Sequence, residues 1–176
     1  MFLPALLMAA VLAPVLHLRA PDGRAAQFET AGRVTAVFFI STICPIGNDY
    51  SDRFSALYRE YQGRGVQLLF VNSNINEPAD MVAKHAKEVQ FPFPVYKDGG
   101  AAVADVLAAE STPSVVILGR DGKVAYRGAV DNARNPARVT RHYTREALDA
   151  VLAGRAAPVA ETKSFGCVIK RPRKST

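Results

Sequence analysis

Apolar residues along this chain change period several times, and each change marks an element. Arg33 to Ser41, RVTAVFFIS, is an unbroken β-branched and aromatic run, which predicts a strand buried on both faces. From Tyr50 the apolar positions Tyr50, Phe54, Leu57, Tyr58 and Tyr61 recur at spacings of three and four before Gly63 and Gly65, which predicts an amphipathic helix. VQLLFVN (66–72) is a second buried strand. NEPADMVAKHAKEVQ (76–90) is a second helix, with Asn76 as its expected cap and Pro78 in its first turn. There follow a short extended segment (93–98), a short helix over 99–110, and a strand, SVVILG. The Asp121-Gly122 turn then leads to a returning strand, KVAYRG. TREALDAVLAG closes the series as a helix, with Thr144 as expected cap and Gly154 as stop. Upstream, PVLHLRAPDGRAAQFE reads as two strands around Asp22-Gly23. Strands alternating with helices, finished by a hairpin and a helix, predict an α/β fold: a central mixed sheet flanked by helices on both faces, with an N-terminal β-hairpin.

Composition adds limits to this picture. A chain of 176 residues, 49% hydrophobic and 22% charged, can bury a core of its own without a disulfide framework or a structural metal. The net charge of +6 is concentrated at the end, where Lys163, Lys170, Arg171, Arg173 and Lys174 form a basic tail and not a basic face. Without aromatic and basic interleaving it predicts a solvated terminus and no nucleic-acid partner. Residues 1–14, MFLPALLMAAVLAP, form an apolar leader too short to span a membrane. They resemble the apolar region of a signal peptide, although no Lys or Arg precedes it. The expectation is a periplasmic or secreted protein with no membrane insertion of the mature domain, in a compartment that permits a disulfide, with a cytoplasmic protein as the alternative. Residues 15–154 are then the folded domain and 155–176 a tail carrying Cys167. Asp131 to Arg141 is polar and unpatterned, a surface loop.

The candidate chemistry centres on Cys44 in FFISTICPIGNDY. A cysteine at the end of a buried strand, where a helix starts, lies near unpaired backbone N–H groups that favour thiolate over thiol. Pro45 suits a first helical turn. Ser41 and Asn48 are within reach, by sequence, to donate toward the sulfur or a bound oxygen. The plainer alternative is a buried, inert cysteine packing as a small hydrophobe.

STICPIGNDY together with STPSVVILGRDGKVAYRG resembles the thioredoxin-like superfamily, and within it the redoxin branch that includes alkyl hydroperoxide reductase and thiol-specific antioxidant proteins. The resemblance runs from about Val15 to Gly154. It implies a cis proline at Thr112-Pro113, walling the substrate pocket with Pro45 beside the active cysteine. Two departures stand out. Gly47 occupies the place of the second cysteine of a thioredoxin-type dithiol, and Val37 occupies the place of a peroxiredoxin proline, although Ser41 matches the peroxiredoxin pattern. CPIGN is similar to the CPISN form of bacterial redoxin-domain proteins whose tails also contain a Gly-Cys pair. By that likeness Cys167, in KSFGCVI, is the expected resolving thiol, its segment folding back through Phe165, Val168 and Ile169. A free or intermolecular thiol is the alternative.

The function implied is reduction of a peroxide or a disulfide by Cys44, with an external thiol reductant and no cofactor. Arg127 is a candidate to stabilise the thiolate or polarise a peroxide, against a plain role as a rim charge. His85 shares a helical face with Val82, Ala86 and Val89 and reads as a packing residue, while His17 and His142 have less context. A copper site of Cys44, Cys167 and His85 is the alternative from another class, weakened by Asn48 standing where a second cysteine of copper-delivery relatives would fall. A non-catalytic interaction domain is a third. Asp49, Asp52 and Arg53 have structural roles in this reading.

Overall fold

The computed structural model describes residues 13–173; most of the apolar leader, residues 1–12, lies outside the described residues. Strands β1 (Val15–Arg19) and β2 (Ala25–Glu29) form the expected hairpin. Gly23 has a φ of 83°, the left-handed conformation that the turn needs and glycine supplies without steric cost. The central strand β3 (Val34–Phe39) is buried along its whole length. It pairs in parallel with β4 (Val66–Asn72), and β4 in parallel with the short β5 (Val95–Lys97). On its other side β3 is antiparallel to β7 (Ser114–Leu118), and β7 to β8 (Val124–Gly128). The resulting seven-stranded mixed sheet runs β2-β1-β5-β4-β3-β7-β8.

Alternation along β3 splits the core into two layers. Val34, Ala36 and Phe38 face α2 (Ser51–Tyr61), α3 (Ala79–Glu88) and α5 (Tyr143–Leu152), meeting Phe54, Leu57, Val82 and Leu148. Phe38, Phe70 and Phe93 stack through this layer. Val37 and Phe39 face the opposite layer, with α4 (Ala102–Val106) and its neighbour Leu107, the hairpin residues Leu16 and Leu18, and Ile169 from the tail. Helices therefore cover both faces, as the alternation of elements predicts. Among the described residues no helix is long and apolar enough to cross a membrane.

Several boundaries differ from expectation for identifiable reasons. The helix expected to be capped by Asn76 starts at Ala79 with an extended Pro78 before it; Asn76 is exposed in a turn and Glu77 is buried. The helix expected over 99–110 shrinks to α4, because Gly100 and Ala101 are left-handed (φ 65° and 63°) and break the entry. Thr144 lies inside α5 and caps nothing; its buried hydroxyl donates to the Val130 carbonyl at 2.9 Å.

The tail is no solvated terminus over 157–171 but folds back onto the domain around Cys167. Its strand β9 (Cys167–Val168) pairs antiparallel with β6 (Ser111–Thr112). Earlier, Ala160 and Thr162 bond the backbone of Arg127 on the outer edge of β8. Two glycines make the approach possible: a Cβ at Gly128 would run into Thr162, and one at Gly166 into the Thr112 carbonyl. Ile169 is 2% exposed. Ile169 thus anchors the segment to one core layer and Phe165 packs against the other, whereas Val168, expected to fold back with them, is 65% exposed.

Candidate active site

Cys44 lies where β3 runs out into the loop before α1 (Pro45–Asn48), a single helical turn separated from α2 by Asp49 and Tyr50. It is the N-cap of that turn. Its Sγ accepts the Gly47 N–H at 3.3 Å and lies 3.3 Å from the Thr112 carbonyl oxygen. With so short a helix, anion stabilisation rests on the Gly47 amide more than on a helix dipole. Cys44 is 1% exposed. The Thr112-Pro113 bond is cis; the Thr112 carbonyl faces the sulfur, and β6 pairs with the tail.

Cys44 and Cys167 are joined in a disulfide, with Cα atoms 6.0 Å apart across 123 positions of sequence. The β6–β9 register places Thr112 opposite Cys167, so one residue touches both halves of the couple. Cys167 is half-buried, whereas Cys44 is sealed.

The other sequence candidates are dispersed. Ser41 is close to Cys44 but does not touch its sulfur: its Oγ accepts the Cys44 N–H at 3.1 Å and donates to Glu77 at 2.6 Å. Asn48 is exposed and its side-chain amide donates to the Thr42 carbonyl, away from the sulfur. The Arg127 guanidinium contacts Glu161 of the tail at 3.4 Å, in a pair at the surface. Pro45 is exposed and Pro113 buried. His85 packs edge-on to Phe91, half-buried on α3, and among the described residues no group of three or more His, Cys, Asp or Glu is placed to hold a metal ion. Arg53 pairs with buried Asp131 at 2.8 Å, and Asp49 with Arg134, as structural contacts of the loop that follows β8. Burial, and next the bond donated to Asp131, push the Tyr50 phenol well up from its usual range.

Missing from the sequence reading is the polar cluster under the Cys44 loop. Glu77, 1% exposed, accepts bonds from Ser41 Oγ and Thr42 N–H, both at 2.6 Å, and from Asn72 Nδ2 at 2.8 Å. Lys97 donates to Asn72 Oδ1 at 2.8 Å and to the Asn74 carbonyl. Burial lowers the Lys97 ammonium from its usual value, with Glu77 and Asp98 opposing. The one sequence signal is the polar run Asn72-Ser73-Asn74 at the end of a largely buried strand, and nothing in the sequence marks Glu77, in an expected first helical turn, as buried.

Comparison with known proteins fits this arrangement. Residues 9–148 match the Redoxin family model, and the chain belongs to that family. An uncharacterized conserved protein of Geobacillus kaustophilus is 33% identical, with a TM-score of 0.82 over 95% of this chain and 93% of that one. The pneumococcal exposed lipoprotein thioredoxin of Streptococcus pneumoniae strain TIGR4, 17% identical, superposes with a TM-score of 0.57 over 69% of this chain and 93% of that one, which shows the thioredoxin-like fold. A curated relative, the thiol-disulfide oxidoreductase ResA of Halalkalibacterium halodurans, is 27% identical over 96 residues, 54% of this chain. The chain spans about half the length of that relative, 53%.

Proposed function

We propose that this redoxin is a thiol–disulfide oxidoreductase whose redox couple is Cys44 and Cys167, the second cysteine supplied by the tail and not by the helical turn. The observation that carries this reading is the disulfide itself, held beside the cis Thr112-Pro113 bond by the pairing of β6 with β9. The absence of a cysteine at Gly47 is thereby compensated by Cys167, 123 positions from Cys44. The name of the curated relative points the same way.

Exchange is favoured over peroxide reduction by what surrounds the sulfur. Breaking an O–O bond releases hydroxide, whose developing charge calls for a preorganised donor or cation. Here the contacts of Cys44 Sγ are one amide and one carbonyl, and Arg127 is engaged with Glu161. Thiol–disulfide exchange needs only a stabilised thiolate and a second thiol in line.

Exposure moves the point of entry. An external thiolate R–S⁻ reaches half-buried Cys167 and not Cys44. A bond forms between R–S and Cys167, the Cys44–Cys167 bond breaks, and Cys44 leaves as a thiolate held by the Gly47 N–H. A second thiolate from the reductant attacks the R–S sulfur and releases Cys167. Two electrons have then entered the protein, and the same steps in reverse pass them to a substrate disulfide.

The test is stopped-flow oxidation of the reduced protein by a disulfide-bonded peptide and by hydrogen peroxide at equal concentration. The disulfide is expected to oxidise the Cys44–Cys167 pair the faster, by about tenfold or more. A faster reaction with peroxide would transfer the activity to peroxide reduction.

A further inference from the structure

One loop grips both halves of the redox couple. On the Cys44 side, Glu77 receives Ser41 Oγ and Thr42 N–H, and Ser41 Oγ receives the Cys44 N–H, so two hydrogen bonds separate the carboxylate from the Cys44 backbone. On the Cys167 side, Asn74 Oδ1 accepts the Lys170 N–H at 2.8 Å, and Ile75 N–H donates to the Lys170 carbonyl at 3.0 Å. Lys170 is three residues past Cys167 and follows the buried anchor Ile169. The two grips are themselves joined. Asn72 donates to Glu77 and accepts both the Asn74 N–H at 3.2 Å and the Lys97 ammonium.

This is a costly arrangement for mere packing. Glu77, Asn72 and Asn74 are 1%, 1% and 4% exposed, and burying such groups is unfavourable unless each is satisfied. An apolar loop of similar volume would seal the same space at no such cost. A polar network does what an apolar one cannot: it fixes direction, through bonds that tolerate little misplacement.

Resting on the thiol–disulfide reading above, we propose that Glu77 and Asn74 are positioning residues that set the two sulfurs in register, Glu77 through the Cys44 loop and Asn74 through the tail. Neither touches a reacting atom. Their effect is on the effective concentration of one thiol at the other, which determines how strongly the dithiol closes against an external thiol. The tail has further anchors on both sides of Cys167, with Thr162 bonded to Tyr126 at 2.6 Å and Arg171 paired with Asp105 at 2.6 Å. Loss of Asn74 therefore loosens the register without freeing the segment.

The experiment is the equilibrium of the full chain with reduced and oxidised glutathione, measured by acid quench and peptide mass spectrometry. Asn74→Ala and Glu77→Gln are each expected to lower the equilibrium constant for closing Cys44–Cys167 by about tenfold or more. Val66→Ala, which loosens the opposite core layer at the far end of β4 and away from both grips, is expected to change it less than twofold. Equal changes in all three would reduce the loop to ordinary packing and overturn the proposal. A second arm uses a Cys167→Ser chain, in which maleimide is expected to label Cys44 at least about ten times faster once Glu77 is also replaced by Gln. Unchanged labelling would overturn the Glu77 half. If the wild-type chain closes no intramolecular disulfide at all, the redox reading fails, while the labelling arm still reports on Glu77.

Discussion

Replacement of Cys44 by serine is expected to abolish turnover with thiol and disulfide substrates, by roughly a thousandfold or more, while leaving the fold in place. The serine hydroxyl fits the same site and can donate to the Thr112 carbonyl that the sulfur now faces at 3.3 Å. Chemically it cannot replace the sulfur: an alkoxide is neither formed near neutral pH nor expelled as a leaving group in exchange. The same variant reports on direction of entry. With Cys44 gone, Cys167 remains half-buried at the surface of the β6–β9 ribbon, so a monothiol disulfide such as oxidised glutathione is expected to leave a stable mixed disulfide on Cys167. Mass spectrometry of the trapped species checks both points at once.

Reduction of the disulfide is expected to lower stability against unfolding by about 4–5 kcal/mol and the midpoint of thermal unfolding by about 10–20 °C. The bridge closes a loop over 123 positions of a 176-residue chain, so in the unfolded state it removes the freedom of most of the molecule. In the folded state it removes little, because Ile169, Thr162 and Arg171 hold the tail on either side of Cys167 whether or not the bond is present. The thermodynamic cycle makes these two statements one. Whatever the bond adds to stability, folding adds to the tendency of the bond to form. Paired denaturation curves of oxidised and reduced protein measure it; coincident curves would mean that the reduced tail is already undocked or that the unfolded chain retains the same restraint.

Legibility in the sequence followed the range of the interaction. Local signals were sound: the unbroken β-branched and aromatic run of Val34 to Phe39, the helical spacing from Tyr50 to Tyr61, and the Asp22-Gly23 turn depend on neighbours within a few residues. Cys44 could be picked out because a strand-to-helix junction leaves a mark in sequence, and Thr112-Pro113 because of the resemblance to thioredoxin-like proteins. Caps were less readable. Asn76 and Thr144 have the right residue type, but Pro78 and the tertiary bond to Val130 decided where the helices begin. Asn48 is a candidate by its nearness to Cys44 in sequence and Arg127 by its place at the end of a late strand, and a partner elsewhere claims each side chain: the Thr42 carbonyl for one, Glu161 for the other. Glu77 illustrates the opposite failure. A carboxylate in a run of Asn, Ser and Pro looks solvated, and its burial becomes visible only when the Cys44 loop and β4 converge on it.

The central claim is that Cys44 and Cys167 of a single chain form the working redox couple. It is tested most directly by equilibrating the purified protein in a glutathione buffer, blocking free thiols with acid and alkylation, and mapping the peptides without reduction. The account predicts one chain carrying a Cys44–Cys167 linkage that opens and closes with two electrons as the buffer is shifted. Cys44 alkylated at every buffer composition, or Cys167 linked only to a second chain, would contradict it.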